Sequence, residues 1–361
     1  MNEKTKNALL SIVASLVCIV IGLLVGFIIL YCINAENAVD GFTRIIKGGF
    51  YLKPKGIGSE IAQSAPLIMT GLSVAFAFKT GLFNIGAEGQ FIVGSLVAVL
   101  VGAGLDLPAI IHIPLTLLCA AIAGALWGGI AGWLKSKFGI NEVIANIMLN
   151  WIAFYLSNFV LMTSWLKVPN SETSVPIKDS AKISIDWLKG LVGPATSVNW
   201  GIVISIIIVI IIAFILAKTT LGFELRAVGF NKFGAEYAGI NVNSSILKSM
   251  AIAGMIAAIA GAIQVMGVTN VITVLPAQEG YGFDGIAVAL IANNNPIGVI
   301  FSGLLFGAFK YGGTKMQSVG APSEVISIII GSIVYFIALV HVIKIAVQKM
   351  SKKRKNEGVN E

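Results

Sequence analysis

Charge is what this sequence has least of: 12% of its 361 residues are charged, against about 25% in a soluble domain. With 57% hydrophobic residues and a mean hydropathy of +0.90, the chain cannot present water-facing side chains over its whole surface. A soluble enzyme, a disordered chain and a nucleic-acid binder are thereby excluded. Metal-ligating residues are equally sparse. The two histidines, His112 and His341, are far apart, and Cys18, Cys32 and Cys119 form no C-x-x-C pair. Each cysteine sits in or at the end of an apolar run, where it reads as small apolar filler. No metal or cofactor is expected. The chain also lacks G-x-x-x-x-G-K-[ST], so it has no P-loop with which to hydrolyse ATP, and it has no polar cluster suited to Ser/His/Asp chemistry.

Long apolar runs are what it has instead. A bilayer core takes about 20 helical residues to cross. Runs of that kind cover residues 9–33, 61–78, 82–105, 113–134, 143–166, 200–217 and 249–268, with a last one at 322–347. The first is too long for a signal peptide and lacks a small-residue cleavage site, so it reads as a retained helix. Between 268 and 322 lie two short pieces, 285–292 and 297–311, separated by Asn293-Asn294-Asn295-Pro296. Pieces this short are tolerated at membrane depth only when buried in protein or lining a cavity. The fold expected is all-α, a polytopic membrane protein of about ten transmembrane or partly penetrating helices. A membrane domain over residues 1–348 precedes a basic tail at 349–361.

Orientation follows from the basic residues. The pI of 9.3 arises from lysines and arginines at the ends of apolar runs, where they meet lipid headgroups. The tail carries Lys349, Lys352, Lys353, Arg354 and Lys355, and Lys4 and Lys6 open the chain. The positive-inside rule places both ends in the cytoplasm. Ten crossings then put 15 of the 25 basic residues inside, with external loops at 34–60 and 167–199 and an internal loop at 218–248. Glycine is abundant, at 40 residues, and the pairs Gly22/Gly26, Gly124/Gly128, Gly128/Gly132 and Gly303/Gly307 have the spacing that lets helix backbones approach. Packing within the chain explains them without a dimer.

The internal loop carries the most local information. Asn231 is placed to cap a short helix that Gly239 stops, and Phe233, Tyr237 and Ile240 give that helix one apolar face. Such a helix can lie in the lipid interface or dock in a groove of another protein. Within the runs, Glu88 and Asp284 sit beside glycines near segment ends, either as wet helix termini or as parts of an ion route. No opposed charges are expected inside the runs, which argues against an ion-coupled carrier. Asn146, Asn150 and Ser157 share one face of their helix with Phe154 alongside. Buried amides are costly in lipid, so this face points into protein or into a pathway. Asn84 and Gln90 flank a glycine-rich break, and Gln264 is a lone polar residue in its run.

Several stretches carry a family resemblance. RAVGFN at 226–231, AEYAGI at 235–240 and the small-residue helix AGMIAAIAGA at 253–262 resemble the coupling segment of ABC importer permeases of the branched-chain amino acid, ribose and simple-sugar type. TGLFNIGAEGQ at 80–90 and GFDGIAVAL at 282–290 narrow this to the nucleoside importer permeases served by basic-membrane-protein lipoproteins. One departure is Ala292 where that pattern has a glycine before Asn-Asn-Pro. The resemblance covers residues 61–347. It implies a permease subunit in a bacterial cell membrane, forming half of a pathway for nucleosides, with a simple sugar as the alternative. It implies three protein partners: an ABC ATPase, a second related permease and an external substrate-binding lipoprotein. It tips the short helix towards docking, with Arg226, Gly229, Asn231, Ala235, Glu236, Ala238 and Gly239 as the coupling residues. The expected pathway residues are Asn84, Glu88, Gln90, Asn146, Asn150, Phe154, Gln264 and Asp284.

Overall fold

A computed structural model describes residues 3–52, 55–163, 165–188, 196–316 and 324–339. Its helices are α1 (Glu3–Ile33), α2 (Ala38–Lys47), α3 (Lys55–Phe78), α4 (Ala87–Gly104), α5 (Ala109–Phe138), α6 (Glu142–Thr163), α7 (Gly201–Lys218), α8 (Thr220–Phe230), α9 (Lys232–Tyr237), α10 (Val242–Gln264), α11 (Tyr281–Ile291), α12 (Pro296–Met316) and α13 (Glu324–Ala338). The described residues hold no strand, only three isolated bridge pairs. The chain is an all-α multi-pass protein. Seven helices are long and apolar enough to cross a bilayer, namely α3, α4, α5, α6, α7, α10 and α12; Val17–Ile33 and Tyr281–Ile291 are shorter apolar segments. The expected last run, 322–347, is described only through α13, and the basic tail lies outside the described residues.

Two compact units divide the chain. In the first, Met1–Ile46 with Gly312–Glu361, α1 and α13 run antiparallel, and Gly22 and Gly26 face Ile333 and Ile329. Arg44 of α2 pairs with Asp40 at 2.7 Å and donates to the Lys315 carbonyl at 3.1 Å.

The second unit, Lys47–Tyr311, is built around α10. Its run of alanines and glycines buries nearly everything from Ala253 onward, so neighbouring helices reach its backbone. A side chain at Gly254 would collide with the Gly124 carbonyl, and one at Gly261 with the Phe91 carbonyl. Gly128 and Gly132 of α5 also meet α10, and Gly303 and Gly307 of α12 meet Ile68 and Ser64 of α3. All four glycine pairs therefore serve packing within the chain, as expected. At the other extreme, α7 is a run of isoleucine and valine with hydropathy 3.0, mostly uncovered by protein. It needs lipid around it.

Hydrogen bonds between the helices fix their directions. Thr80, just past α3, accepts from Ser249 near the start of α10, whereas Asn199, just before α7, donates to the Gly267 carbonyl beyond the end of α10. Helices α3, α5, α7 and α11 thus run one way, and α4, α6, α10 and α12 the other. The chain between α10 and α12 is not one continuous helix. After α10 a π turn, Val265–Thr269, leads to an extended stretch, in which Val274 donates to the Glu172 carbonyl at 2.8 Å and Leu275 to Asn158 Oδ1 at 2.9 Å. The half-helix α11 follows. It begins at Tyr281, four residues before the apolar piece read at 285–292, because a side chain from α4 receives its first amides. The Asn-Asn-Asn-Pro segment is a tight turn with Asn293 and Asn294 at φ 50° and 54°, a region asparagine tolerates better than most residues. Asn295 Oδ1 then accepts from the Ile297 amide at 3.0 Å, and Pro296 opens α12.

Candidate functional site

The glycine-rich break before α4 is held by polar side chains with no charge among them. Asn84 and Gln90 exchange amide hydrogen bonds of 2.8 and 3.1 Å, Asn84 also donates to Ser73 Oγ, and Ser73 donates to the Ala253 carbonyl at 2.6 Å. All three side chains are buried. From α6, Asn150 accepts from the Gly89 amide at 2.8 Å and donates to the Ile85 carbonyl at 3.0 Å, so both ends of its side chain are spent on the start of α4. Asn146, one turn earlier, is as buried yet has no partner on either amide atom. The two asparagines that share a face in the sequence thus differ in role. Phe154 and Ser157 continue the buried face, and Phe154 packs with Ile92, Val93 and Ala153.

At the break before α11, Glu88 places its carboxylate at the helix N-terminus. Oε1 accepts from Gly280 and Oε2 from Gly282, each at 2.7 Å. Helix N-termini expose unpaired amides with a partial positive charge, and a half-helix inside a membrane has no water to satisfy them. Gly282 is required here, since a Cβ would overlap the Glu88 backbone. One turn on, Asp284 accepts from Lys310 Nζ at 2.9 Å, and the same ammonium lies 3.6 Å from the Tyr281 ring centroid. Tyr281 stacks on Phe91 at 4.9 Å. Gln264 is buried nearby in α10, with its Oε1 unpartnered.

The Asp284–Lys310 pair corrects one expectation: opposed charges do lie inside the apolar segments. The sequence conceals them because the two residues are 26 apart and become neighbours only through the α11–α12 hairpin. Lys310, Tyr281 and Phe91 of this cluster, and Ser73 at the break before α4, are the members that sequence reading missed. A lysine set between Phe309 and Tyr311, inside the apolar piece at 297–311, was the available signal. Glu88 and Asp284 are both drawn into this cluster, Glu88 fully buried and Asp284 partly so.

The loop at 218–248 contains two short helices, α8 and α9. Thr219 caps α8 by accepting from the Gly222 amide at 3.1 Å, and Asn231 caps α9 by accepting from Gly234 at 3.1 Å. Gly229 packs on the Lys79 carbonyl and Ala235 is buried, which seats the segment against the body of the protein. Gly239 ends it at φ 83°. Phe233 and Tyr237 are 83% and 96% exposed, and Phe230 89%. Glu236 and Ala238 are exposed beside them, and Arg226 is half-buried one helix earlier. Ile240, grouped with the aromatics in the sequence, is partly covered instead.

Residues 56–340 match the family model described as branched-chain amino acid transport system / permease component. The chain belongs to this family. It is a transport subunit, then, and not an enzyme. The permease is 40% identical over 342 residues to the guanosine ABC transporter permease protein NupP of Bacillus subtilis, covering 94% of this chain and 97% of that one. It is 34% identical over 363 residues to the nucleoside ABC transporter permease protein NupB of Lactococcus lactis, covering 99% and 98%. The glucose ABC transporter permease protein TsgB13 of Haloferax volcanii is 31% identical over 347 residues, covering 93% and 89%. No solved structure matches the chain.

Two outcomes are expected of this geometry. Breaking the ion pair from one side, with Lys310→Met or Asp284→Asn, leaves a buried charge unpaired and costs about 3–5 kcal/mol. Thermal unfolding of the purified permease should show this, and the double variant should regain most of the loss. Harmless single variants, or a double variant no better than the singles, would refute the account. Separately, Asn150→Leu strands the Gly89 amide and the Ile85 carbonyl, costing about 1–3 kcal/mol each. Asn146→Leu strands nothing and should leave the melting temperature unchanged or higher. The reverse order in the melting curves would overturn this assignment.

Proposed function

We propose that this permease is the membrane-spanning subunit of an ABC importer for nucleosides. The observation that carries the reading is near-full-length similarity to two permeases named for guanosine and nucleosides. The chemistry of the interior agrees with an uncharged, polar cargo. The positive end of α11 would attract an anion, but Glu88 already fills it. Among the described residues, Asn146 alone is a buried side chain with both amide atoms unspent, and it suits hydroxyls and ring nitrogens. We assign Asn146 to the pathway, with Phe154 and Gln264 beside it. Asn84, Gln90, Asn150, Glu88 and Asp284 shape its wall by holding the two helix breaks.

In this reading the permease spans a bacterial cytoplasmic membrane ten times, counting the interrupted 270–291 crossing, α1 and α13. The alternation of helix directions in the second unit supports that count, and the positive-inside bias supports both termini being cytoplasmic. The end that carries α8 and α9 is then inside. There α9 docks into a groove of a separate ATPase, with Phe233, Glu236 and Tyr237 leading and Arg226, Gly229, Asn231, Ala235, Ala238 and Gly239 shaping the segment. A second, related permease completes the pathway, and an external lipoprotein delivers the cargo. The buried ion pair is a feature shared with ion-coupled carriers; an exposed aromatic helix capped by Asn231 favours docking.

The test is uptake of radiolabelled guanosine in cells expressing the whole operon. Glu236→Arg should abolish uptake and ATPase copurification together while the permease remains inserted, because it reverses charge on a docked face. Normal uptake would return α9 to the lipid interface, and competition of parental uptake by glucose but not by adenosine would replace nucleoside with sugar. For topology, a cysteine in place of Ser351 should resist an impermeant thiol reagent in intact cells, and one in place of Glu172 should react. Labelling at 351 would remove the even number of crossings.

A further inference from the structure

A cavity of about 530 Å³ opens where the end of α3, the end of α7, α8 and the Asn-Asn-Asn-Pro turn converge. Its size falls within the range of about 300–1,000 Å³ typical of small-ligand sites. Ala213 and Leu216 of α7, Phe230 of α8 and Ile297 of α12 give it apolar walls, and two cations, Lys79 and Arg226, line it with them. Arg226 donates Nε to the Gly222 carbonyl at 3.1 Å, which leaves the four hydrogens of its outer nitrogens. Among the described residues, neither cation has a carboxylate within ion-pairing distance.

That arrangement is exceptional in this fold. Most other partly buried cations of the second unit have acids: Lys135 has Glu142, Lys178 has Asp106, Lys182 has Asp179 and Lys310 has Asp284, while Lys167, which has none among the described residues, stands singly against Met162 Sδ. Here both are half-buried, and burial together with the Arg226 charge lowers the Lys79 pKa below the ordinary lysine value. Two like charges in one apolar-walled cavity are unfavourable until an anion joins them. The cavity also sits at a helix-end level, where α3 and α7 both stop. A ligand fitting it is therefore an anion with an apolar body.

We propose that this cavity binds the phosphate of an anionic phospholipid, with Lys79 and Arg226 on the phosphate and an acyl chain along the wall formed by Ala213, Leu216 and Ile297. Only the choice of the inner leaflet rests on the orientation given above; the phosphate site itself does not depend on the cargo. Basic side chains at a membrane surface gain about 1 kcal/mol each from anionic lipid, about fivefold in binding. The lipid would tie α8, the helix leading into α9, to the ends of α3 and α7.

The experiment is native mass spectrometry of the permease purified with its partner subunits, from nanodiscs of phosphatidylglycerol mixed with phosphatidylcholine. One phosphatidylglycerol should remain per permease. Lys79→Gln should lower its retention about fivefold, Lys79→Arg should restore it, and Lys137→Gln, a cation removed from the same end but outside the cavity, should not affect it. Ala213→Trp fills the cavity and leaves both cations, so it should expel the lipid independently of how well Lys79→Gln folds. Retention unchanged in both Lys79→Gln and Ala213→Trp would overturn the proposal. Displacement by millimolar inorganic phosphate would make the ligand a free anion and not a lipid. Lipid retained by the isolated permease but lost when the ATPase is present would show that the cavity receives a protein acid instead.

Discussion

A backbone amide inside a membrane has no water to turn to, and most of this architecture follows from that constraint. Unbroken helices satisfy it internally, so seven of them can face lipid or one another without further provision. The two breaks cannot. At the first, before α4, uncharged amides from Asn84, Gln90 and Asn150 complete the hydrogen bonding. At the second, before α11, a carboxylate does it, because a helix start concentrates positive partial charge and a neutral acceptor would meet it less well. Glu88 belongs to both: it lies in the first turn of the helix that the first break introduces, and it closes the second.

Each break thereby stabilises the other. Placing Glu88 against α11 requires α4 to start where it does, and that start depends on the Asn84–Gln90 exchange and on Asn150 reaching across from α6. The buried charge that results is partly offset nearby, since Lys310 brings one positive charge to three acids, Glu88, Glu279 and Asp284. Tyr281, held between Phe91 and Lys310, covers the ammonium from the apolar side. A polar centre of this kind is tolerable at membrane depth only because nearly every donor has a named acceptor. Asn146 stands out within it by having neither.

Much of this was legible in the sequence, and what was not has a common cause. The apolar runs from 9 to 268, the glycine pairs, the cap at Asn231, the stop at Gly239 and the burial of the Asn146–Ser157 face are all local patterns, and the structure carries each of them. Lys310 was illegible because its meaning is not local: it needs a partner 26 residues away across a turn made of asparagines. The start of α11 at Tyr281 was hidden for a related reason. Gly282 and Gly285 weaken any local case for helix, and the acceptor that compensates them comes from residue 88. Asn146 and Asn150 look alike in sequence, since spacing specifies a face and not what stands opposite it.

The contacts of α10 have a consequence for movement. Between α10 and its neighbours α4 and α5, much of the contact is main chain on main chain at Gly94, Gly124, Gly128, Gly254 and Gly261, with few side chains between. Side chains can change rotamer to absorb a displacement; peptide planes in direct contact cannot. Those three helices must therefore shift as a single rod cluster, with no internal slip. A displacement of any one of them is carried to the other two, and it is taken up where the packing is made of rotatable groups, in the 270–280 stretch and the hairpin of α11 and α12.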